Sequence, residues 1–174
     1  MIDSDNHFMG KALALAEEAL CRGDFPVGCV VVESGRVVAA GARTASRGPD
    51  ANELDHAEML ALRRLTDAGP PTVLAQATIY STMEPCLMCF GAIVLSGIRR
   101  IVYAYEDVMG GGTALDLQRL SPLYRHSKVT VVGGVRRSES LSLFVRFFQN
   151  PENDYWRGSL LARHCLGQAP ETNG

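Results

Sequence analysis

The sequence predicts an α/β fold: a three-layer α/β/α sandwich around one mixed central sheet. Three observations carry that expectation. Short β-branched runs alternate with longer apolar-periodic stretches, giving a hairpin, then helix, strand, helix, strand, a short helical patch and strand. At 174 residues and 47% hydrophobic, the chain is long enough for one full core and too short for two. No repeat, low-complexity tract or linker divides it, so residues 1–174 read as a single domain with a C-terminal helical extension over 151–168.

The elements follow in order. Phe8 to Leu20 places Met9, Ala12, Leu13, Ala16, Ala19 and Leu20 on one helical face, and Gly23 ends the helix. Pro26 to Val32 and Val37 to Ala42 are strands joined by a tight turn at Glu33-Ser34-Gly35-Arg36. Arg43 to Asp55 is polar and marked as a loop by Gly48-Pro49-Asp50. Asp55 is placed to cap a helix from His56 to about Asp67, stopped by Gly69-Pro70-Pro71. Ala77 to Thr82 is a strand that feeds a helix from Leu87 to Leu95, and Pro85 suits that helix start. Arg100 to Tyr105 is the next strand, and Gly110-Gly111-Gly112 is a permissive loop before a helical patch at Ala114 to Leu120. Val129 to Val132 is a strand, Leu141 to Phe148 a helix stopped at Asn150-Pro151, and Asp154 to Cys165 a last helix before a frayed end.

Charge and composition narrow the function classes. The formal net charge is −2, and arginines come in pairs (Arg63-Arg64, Arg99-Arg100, Arg136-Arg137) but never in a run, unlike a chain built around a nucleic-acid backbone. No apolar run reaches the roughly 18 residues of a membrane span, and Asp3 and Asp5 near the start are unlike a signal peptide, so the expected location is cytoplasmic. Five cysteines in such a chain argue for metal binding rather than a disulfide framework. Cys21, Cys29 and Cys165 sit in apolar patterns and read as buried thiols without a chemical role.

The chemistry centres on Cys86-Leu87-Met88-Cys89, entered through Glu84-Pro85. The positive end of a helix dipole favours thiolates there, but two sulfurs are only half of what Zn²⁺ takes. Cys-x-x-Cys can also be a redox pair or half of a structural zinc knot. A metal-type histidine upstream, His56, speaks against the first. The lack of a second Cys-x-x-Cys or a spaced histidine pair speaks against the second. His56-Ala57-Glu58 completes H-x-E…P-C-x-x-C, the signature of zinc nucleobase deaminases. Three ligands with no fourth describe an open site that keeps a water, whose pKa of about 15.7 a bound metal brings towards neutrality. Glu58 then has a use as the proton carrier; its alternative is a surface pair with Arg63 or Arg64.

Pro26-Val27-Gly28, His56-Ala57-Glu58, Thr82 to Cys89 and Gly91-Ala92-Ile93 resemble the cytidine deaminase superfamily. Met88-Cys89 with Gly91-Ala92 is similar to the branch of bacterial tRNA adenosine deaminases and guanine deaminases. The resemblance covers about Lys11 to Phe148. It implies a hydrolytic deaminase, one zinc per chain held by His56, Cys86 and Cys89, proton transfer by Glu58, and a homodimer. It also implies substrate contacts at Val27, Arg43, Asn52, Ala57, Asp107, Tyr155 and Trp156.

Two departures from the branch bear on the substrate. Where its members end a strand in Gly-x-Asn, with the Asn contacting the base, this chain has Gly41-Ala42-Arg43. Arginine only donates, so it suits an anion, unless it is a solvated loop residue and Asn52 replaces the amide. After Phe147-Phe148, where the tRNA enzymes turn basic, this chain is acidic at Glu152 and Asp154, and Tyr155-Trp156 are candidates to close the site. The expected substrate is a small-molecule nucleobase, nucleoside or nucleotide. Adenosine in tRNA is the alternative, and a non-catalytic, zinc-stabilised binding subunit is a third reading.

Overall fold

The computed structural model describes residues 2–67 and 74–168. Its elements are α1 (Ile2–Cys21), β1 (Gly28–Glu33), β2 (Arg36–Ala42), α2 (Ala57–Asp67), β3 (Thr78–Met83), α3 (Leu87–Ser96), β4 (Arg100–Tyr105), α4 (Pro122–Arg125), β5 (Thr130–Val132), α5 (Arg137–Gln149) and α6 (Leu160–Leu166). The sheet order is β2-β1-β3-β4-β5. β1 pairs antiparallel with β2 and β3, whereas β3–β4 and β4–β5 are parallel, so the sheet is mixed as expected. The β1–β2 turn places Ser34 and Gly35 at φ 49° and 74°, the positive angles a two-residue hairpin needs.

Alternation along the strands divides the core. Phe8, Met9, Ala12, Leu13 and Ala16 of α1 pack with Val30, Val32, Tyr80, Val102 and Leu143 on one face. Ala57, Ala61, Leu62 and Leu65 of α2 and Phe90, Ile93 and Val94 of α3 pack with Cys29, Val31, Ile79, Ile101 and Tyr105 on the other. Leu161 and Cys165 of α6 join that second cluster. No helix is long and apolar enough to cross a membrane among the described residues.

Several boundaries differ from expectation for local reasons. α1 starts at Ile2, with Asp3 and Asp5 in its first turn, where acidic groups meet the positive helix end. Cys21 closes it and is exposed, not buried. Asp55 does not cap α2: its carboxylate accepts from Asn52 and Arg63, and His56 occupies the entry, its carbonyl accepting from Leu60 N. The expected stop at Gly69-Pro70-Pro71 lies outside the described residues, as do residues 169–174. Pro85 is two residues too early for the first helical position, because Cys86 is the N-cap of α3 and Leu87 its first residue. The patch at 114–120 shrinks to a 3₁₀ turn at Leu117–Arg119 with Asp116 capping it, and Ser121-Pro122 starts the short α4. The last helix begins only at Leu160, capped by the Ser159 side chain, because Trp156 and Gly158 take φ of 53° and 69°.

Candidate metal centre and substrate cavity

Two close approaches set the site. A side chain at Gly41 would place a Cβ 2.2 Å from the Ala57 carbonyl oxygen, so glycine there lets the first turn of α2 lie directly on β2. His56 and Glu58 are thereby held at the end of the sheet. The entry to α3 is fixed by Glu84. Its N–H donates to the Tyr105 carbonyl at 2.7 Å, and its carboxylate accepts from the backbone N–H groups of Asp107 and Thr113. The Pro85 carbonyl accepts from Gly112 N at 2.9 Å. These bonds staple the 106–113 loop to the start of α3 and present Cys86 and, one turn later, Cys89.

His56 Nδ1 lies 3.6 Å from Cys86 Sγ and 3.5 Å from Cys89 Sγ, and the three ligand atoms lie within 4.8 Å of one another. Tetrahedral zinc with bonds of about 2.0 Å to nitrogen and 2.3 Å to sulfur separates such ligands by about 3.6 Å, so the donor set fits. This His/Cys/Cys group could hold one zinc ion. The Cys86 thiol is pulled down to about 4, first by the Cys89 thiol donating to it and then by His56. The same pairing raises Cys89.

Glu58 sits beside this cluster, 3% exposed. Ser81 Oγ donates to its Oε1 at 2.8 Å, and the Cys89 thiol lies 3.6 Å from Oε2. Burial pushes its pKa above the usual carboxylate range, while its backbone N–H, His56 and Ser81 pull the other way. The surface alternative is excluded by its neighbours: Arg63 pairs with Asp55 and Arg64 donates to the Ala40 carbonyl.

A cavity of about 80 Å³ opens onto these groups. Of the residues expected to meet substrate, Val27, Arg43, Ala57, Asp107, Tyr155 and Trp156 line it. Asn52 is not in its wall: its amide is spent on a local turn, accepting from Leu54 N and Asp55 N and donating to Asp55. Arg43 is 2% exposed, so it is not a solvated loop residue. Asp107 accepts from Met109 N and Gly110 N at 2.9 Å each, and burial raises its pKa.

Tyr155 and Trp156 stack at 5.2 Å with planes 7° apart, and both rings contact Phe25. Trp156 holds a left-handed backbone, which a bulky side chain rarely adopts. Tyr155 OH donates to Glu53 at 2.9 Å, and burial pushes its pKa up to about 12. Phe25, Met83, Glu84 and Gly110 also line the cavity and were not among the expected residues, nor was Ser81 behind Glu58. Only strand alternation, which puts Ile79, Ser81 and Met83 on one face, could have pointed to two of them.

Comparison with known proteins agrees with this geometry. Residues 2–105 match the sequence profile of the cytidine and deoxycytidylate deaminase zinc-binding region. The chain is 35% identical over 149 residues to a tRNA-specific adenosine deaminase of Agrobacterium fabrum, covering 85% of this chain and 96% of that one. Among solved structures it is similar to one from a study of A-to-I editing by tRNA:A34 deaminases at the wobble position (TM-score 0.64, 33% identity, 79% of this chain and 98% of that one). It is also similar to a guanine deaminase from Nitrosomonas europaea (TM-score 0.62, 25% identity, 80% and 81%). The folded site and these likenesses coincide, and the chain belongs to the zinc-dependent cytidine and deoxycytidylate deaminase family.

Proposed function

We propose that this protein hydrolyses the exocyclic amine from a nucleobase supplied as a free base, nucleoside or nucleotide, with His56, Cys86 and Cys89 holding one zinc and Glu58 moving the protons. The observation that carries this reading is the Glu58 carboxylate, buried against the His/Cys/Cys group with no cationic Arg or Lys among the described residues paired to it and the Ser81 hydroxyl donating to Oε1. A purely structural metal site has no use for such a group, which speaks against a non-catalytic binding subunit.

When bound, zinc supplies a water whose pKa is brought towards neutrality. Glu58 would pass one proton of the attacking water to the ring nitrogen and then a second, from the hydroxyl newly added to the ring carbon, to the departing amine. A raised pKa suits a group that must hold the proton between transfers. Ser81 orients the carboxylate through Oε1, leaving Oε2 for the exchange. Phe25, Tyr155 and Trp156 form an aromatic wall matched to a planar base.

The small-molecule reading is supported by the Tyr155–Trp156 turn in the cavity wall and by the net charge of −2. Deamination of adenosine in tRNA is the second reading, favoured by the relative from Agrobacterium fabrum. We read residues 1–174 as one domain with 151–168 as an extension, in a cytoplasmic homodimer. Support for the dimer is the apolar side of α3, where Leu87 and Leu95 are 61% and 59% exposed.

Metal analysis should find about one zinc per chain, lost in Cys86→Ala. Ammonia release should follow from at least one of guanine, adenine, cytosine or their nucleosides and nucleotides. Full activity of Cys86→Ala would overturn the site assignment. Inosine formation in a tRNA anticodon stem without turnover of any small substrate would overturn the substrate reading.

A further inference from the structure

Arg136 and Arg137, one of the arginine pairs of the sequence, open α5 against local preference. Arg136, the N-cap, takes φ of 55°, a left-handed backbone that is costly for a residue with a side chain. Arg137 puts a cation at the positive end of the helix dipole. Where two local rules are broken together, the compensation lies in what the residues hold. Arg136 holds its own helix and α1, donating to Glu139 and to the Asn6 carbonyl. Arg137 reaches instead to the end of β4. Its Nε donates to Glu106 Oε2 at 2.8 Å, and its Nη2 donates to Glu106 Oε1 and, at 2.6 Å, to Gln168 Oε1. The guanidinium also lies 4.8 Å from the centroid of the Tyr105 ring. Gln168 completes the ring of contacts by donating to Tyr105 OH at 3.0 Å.

What Arg137 grips leads directly to the cavity. Glu106 precedes Asp107, which lines the cavity together with Gly110. The far side of that segment is tied to the start of α3, because Asp107 N and Thr113 N donate to Glu84 and Gly112 N donates to the Pro85 carbonyl. Its near side is tied by the Glu106 side chain. Glu84, Glu106 and Asp107 gather three carboxylates at this corner, and among the described residues Arg137 is the one arginine or lysine paired with any of them. Without it Glu106 would keep only His164, 3.5 Å away, and the like charges would push the segment outward.

We propose that Arg137 is a positioning residue of the cavity: by gripping Glu106 it fixes the segment that presents Asp107 and Gly110 to the substrate, and through Gln168 it makes α6 part of that support. Arg137 does not line the cavity and acts through Glu106. The pair is about one-third exposed, so its loss costs the whole fold little and the effect stays local. The consequence for turnover rests on the reading of the cavity as a nucleobase site; the grip on the segment does not.

The test compares the zinc-loaded wild-type protein with Arg137→Met, Arg137→Lys and Gln168→Ala by native-state hydrogen exchange. In Arg137→Met the amides of Asp107 and Gly112 are expected to exchange about tenfold faster, while those of Val30, Ile79 and Val102 in the sheet stay within about twofold. Gln168→Ala should show the same pattern at smaller size. Arg137→Lys keeps the charge but not the planar fork, and should recover part of the protection. For the base that is turned over, KM in Arg137→Met should rise about fivefold with kcat within about twofold, because His56, Glu58, Cys86 and Cys89 are untouched. Equal acceleration at all five amides would make Arg137 a contributor to global stability only and overturn the role, as would unchanged exchange at Asp107 and Gly112. A fall in kcat with KM unchanged would overturn the route through substrate positioning. Absence of turnover with every base, nucleoside, nucleotide and tRNA stem overturns the nucleobase reading, and the exchange pattern alone then decides the role of Arg137.

Discussion

Asp5 and Glu58 are both buried carboxylates, 7% and 3% exposed, on opposite faces of the same sheet. On the α1 face, Asp5 accepts from Arg100 Nη1 and Nη2 at 2.9 and 2.8 Å and from Tyr80 OH at 2.8 Å. Arg100 beside it holds its pKa below the usual range, so it stays charged. On the α2 face, Glu58 has Ser81 and a thiol, and burial holds its pKa above the usual range. Tyr80 and Ser81 are successive residues of β3, so one strand serves both groups from its two sides. The difference separates a carboxylate that ties α1 to the sheet from one that, on the function proposed above, exchanges a proton. Burial alone does not distinguish them; the partners do.

The largest effect that could break this comparison is on turnover. Glu58→Gln should retain zinc and denaturant stability while turnover falls about 10²- to 10⁴-fold. Metal analysis, urea unfolding and ammonia release measure the three together, and a large loss of stability with turnover intact would make Glu58 a second Asp5. The converse variant comes next in size. Asp5→Ala leaves Arg100 without its partner and should lower unfolding stability by about 3 kcal/mol, with turnover per folded molecule within twofold of the parent. A change below about 0.5 kcal/mol in urea unfolding would show that the pair contributes nothing.

A smaller effect sharpens the comparison at the far end of the sheet. Glu106 is held at about 2 by Arg137, with His164 also beside it. Its folded pKa is depressed, so the stability it lends is complete above about pH 4.5 and lost as pH falls towards 2. The pair is about one-third exposed, so solvent screens it and the slope is modest. Arg137→Met should flatten the fall in melting temperature between pH 4.5 and 2, and should do so less at high salt. An unchanged slope would remove this pair from the acid response.

The layered fold and the cysteine pair of the candidate metal site were legible because each depends on local spacing. Cys86 and Cys89 are one helical turn apart, and the β1–β2 turn is written in Ser34-Gly35. What was not legible depends on partners distant in sequence. Nothing near Asp5 announces Tyr80 and Arg100, which extend α1 to Ile2. Nothing near Arg43 reveals that the 44–53 loop folds over it and converts a surface arginine into a buried one. Tyr155 and Trp156 were placed at the site, but within a helix. The left-handed turn that delivers them shows in the sequence only as Gly158, two residues beyond Trp156. Glu84 lies inside the motif, yet its role as the clamp on Asp107 and Thr113 needs the 106–113 loop in place.

The sheet order also orders events in time. β1, β2 and α2 are neighbours in sequence and carry His56 and Glu58; β3, α3 and β4 are neighbours in sequence and carry Cys86 and Cys89. The two halves meet through β1–β3 pairing, which joins residues such as Cys29 and Ser81 across the whole α2 segment, and through the packing of α2 with α3. Contacts of that separation close late, because the intervening chain must be ordered first. A nascent chain thus holds either the imidazole or the thiol pair, but not the full ligand set, until the central strands zip. Metal capture by the candidate His/Cys/Cys group would then mark a finished fold, since a half-made molecule offers at most two sulfurs.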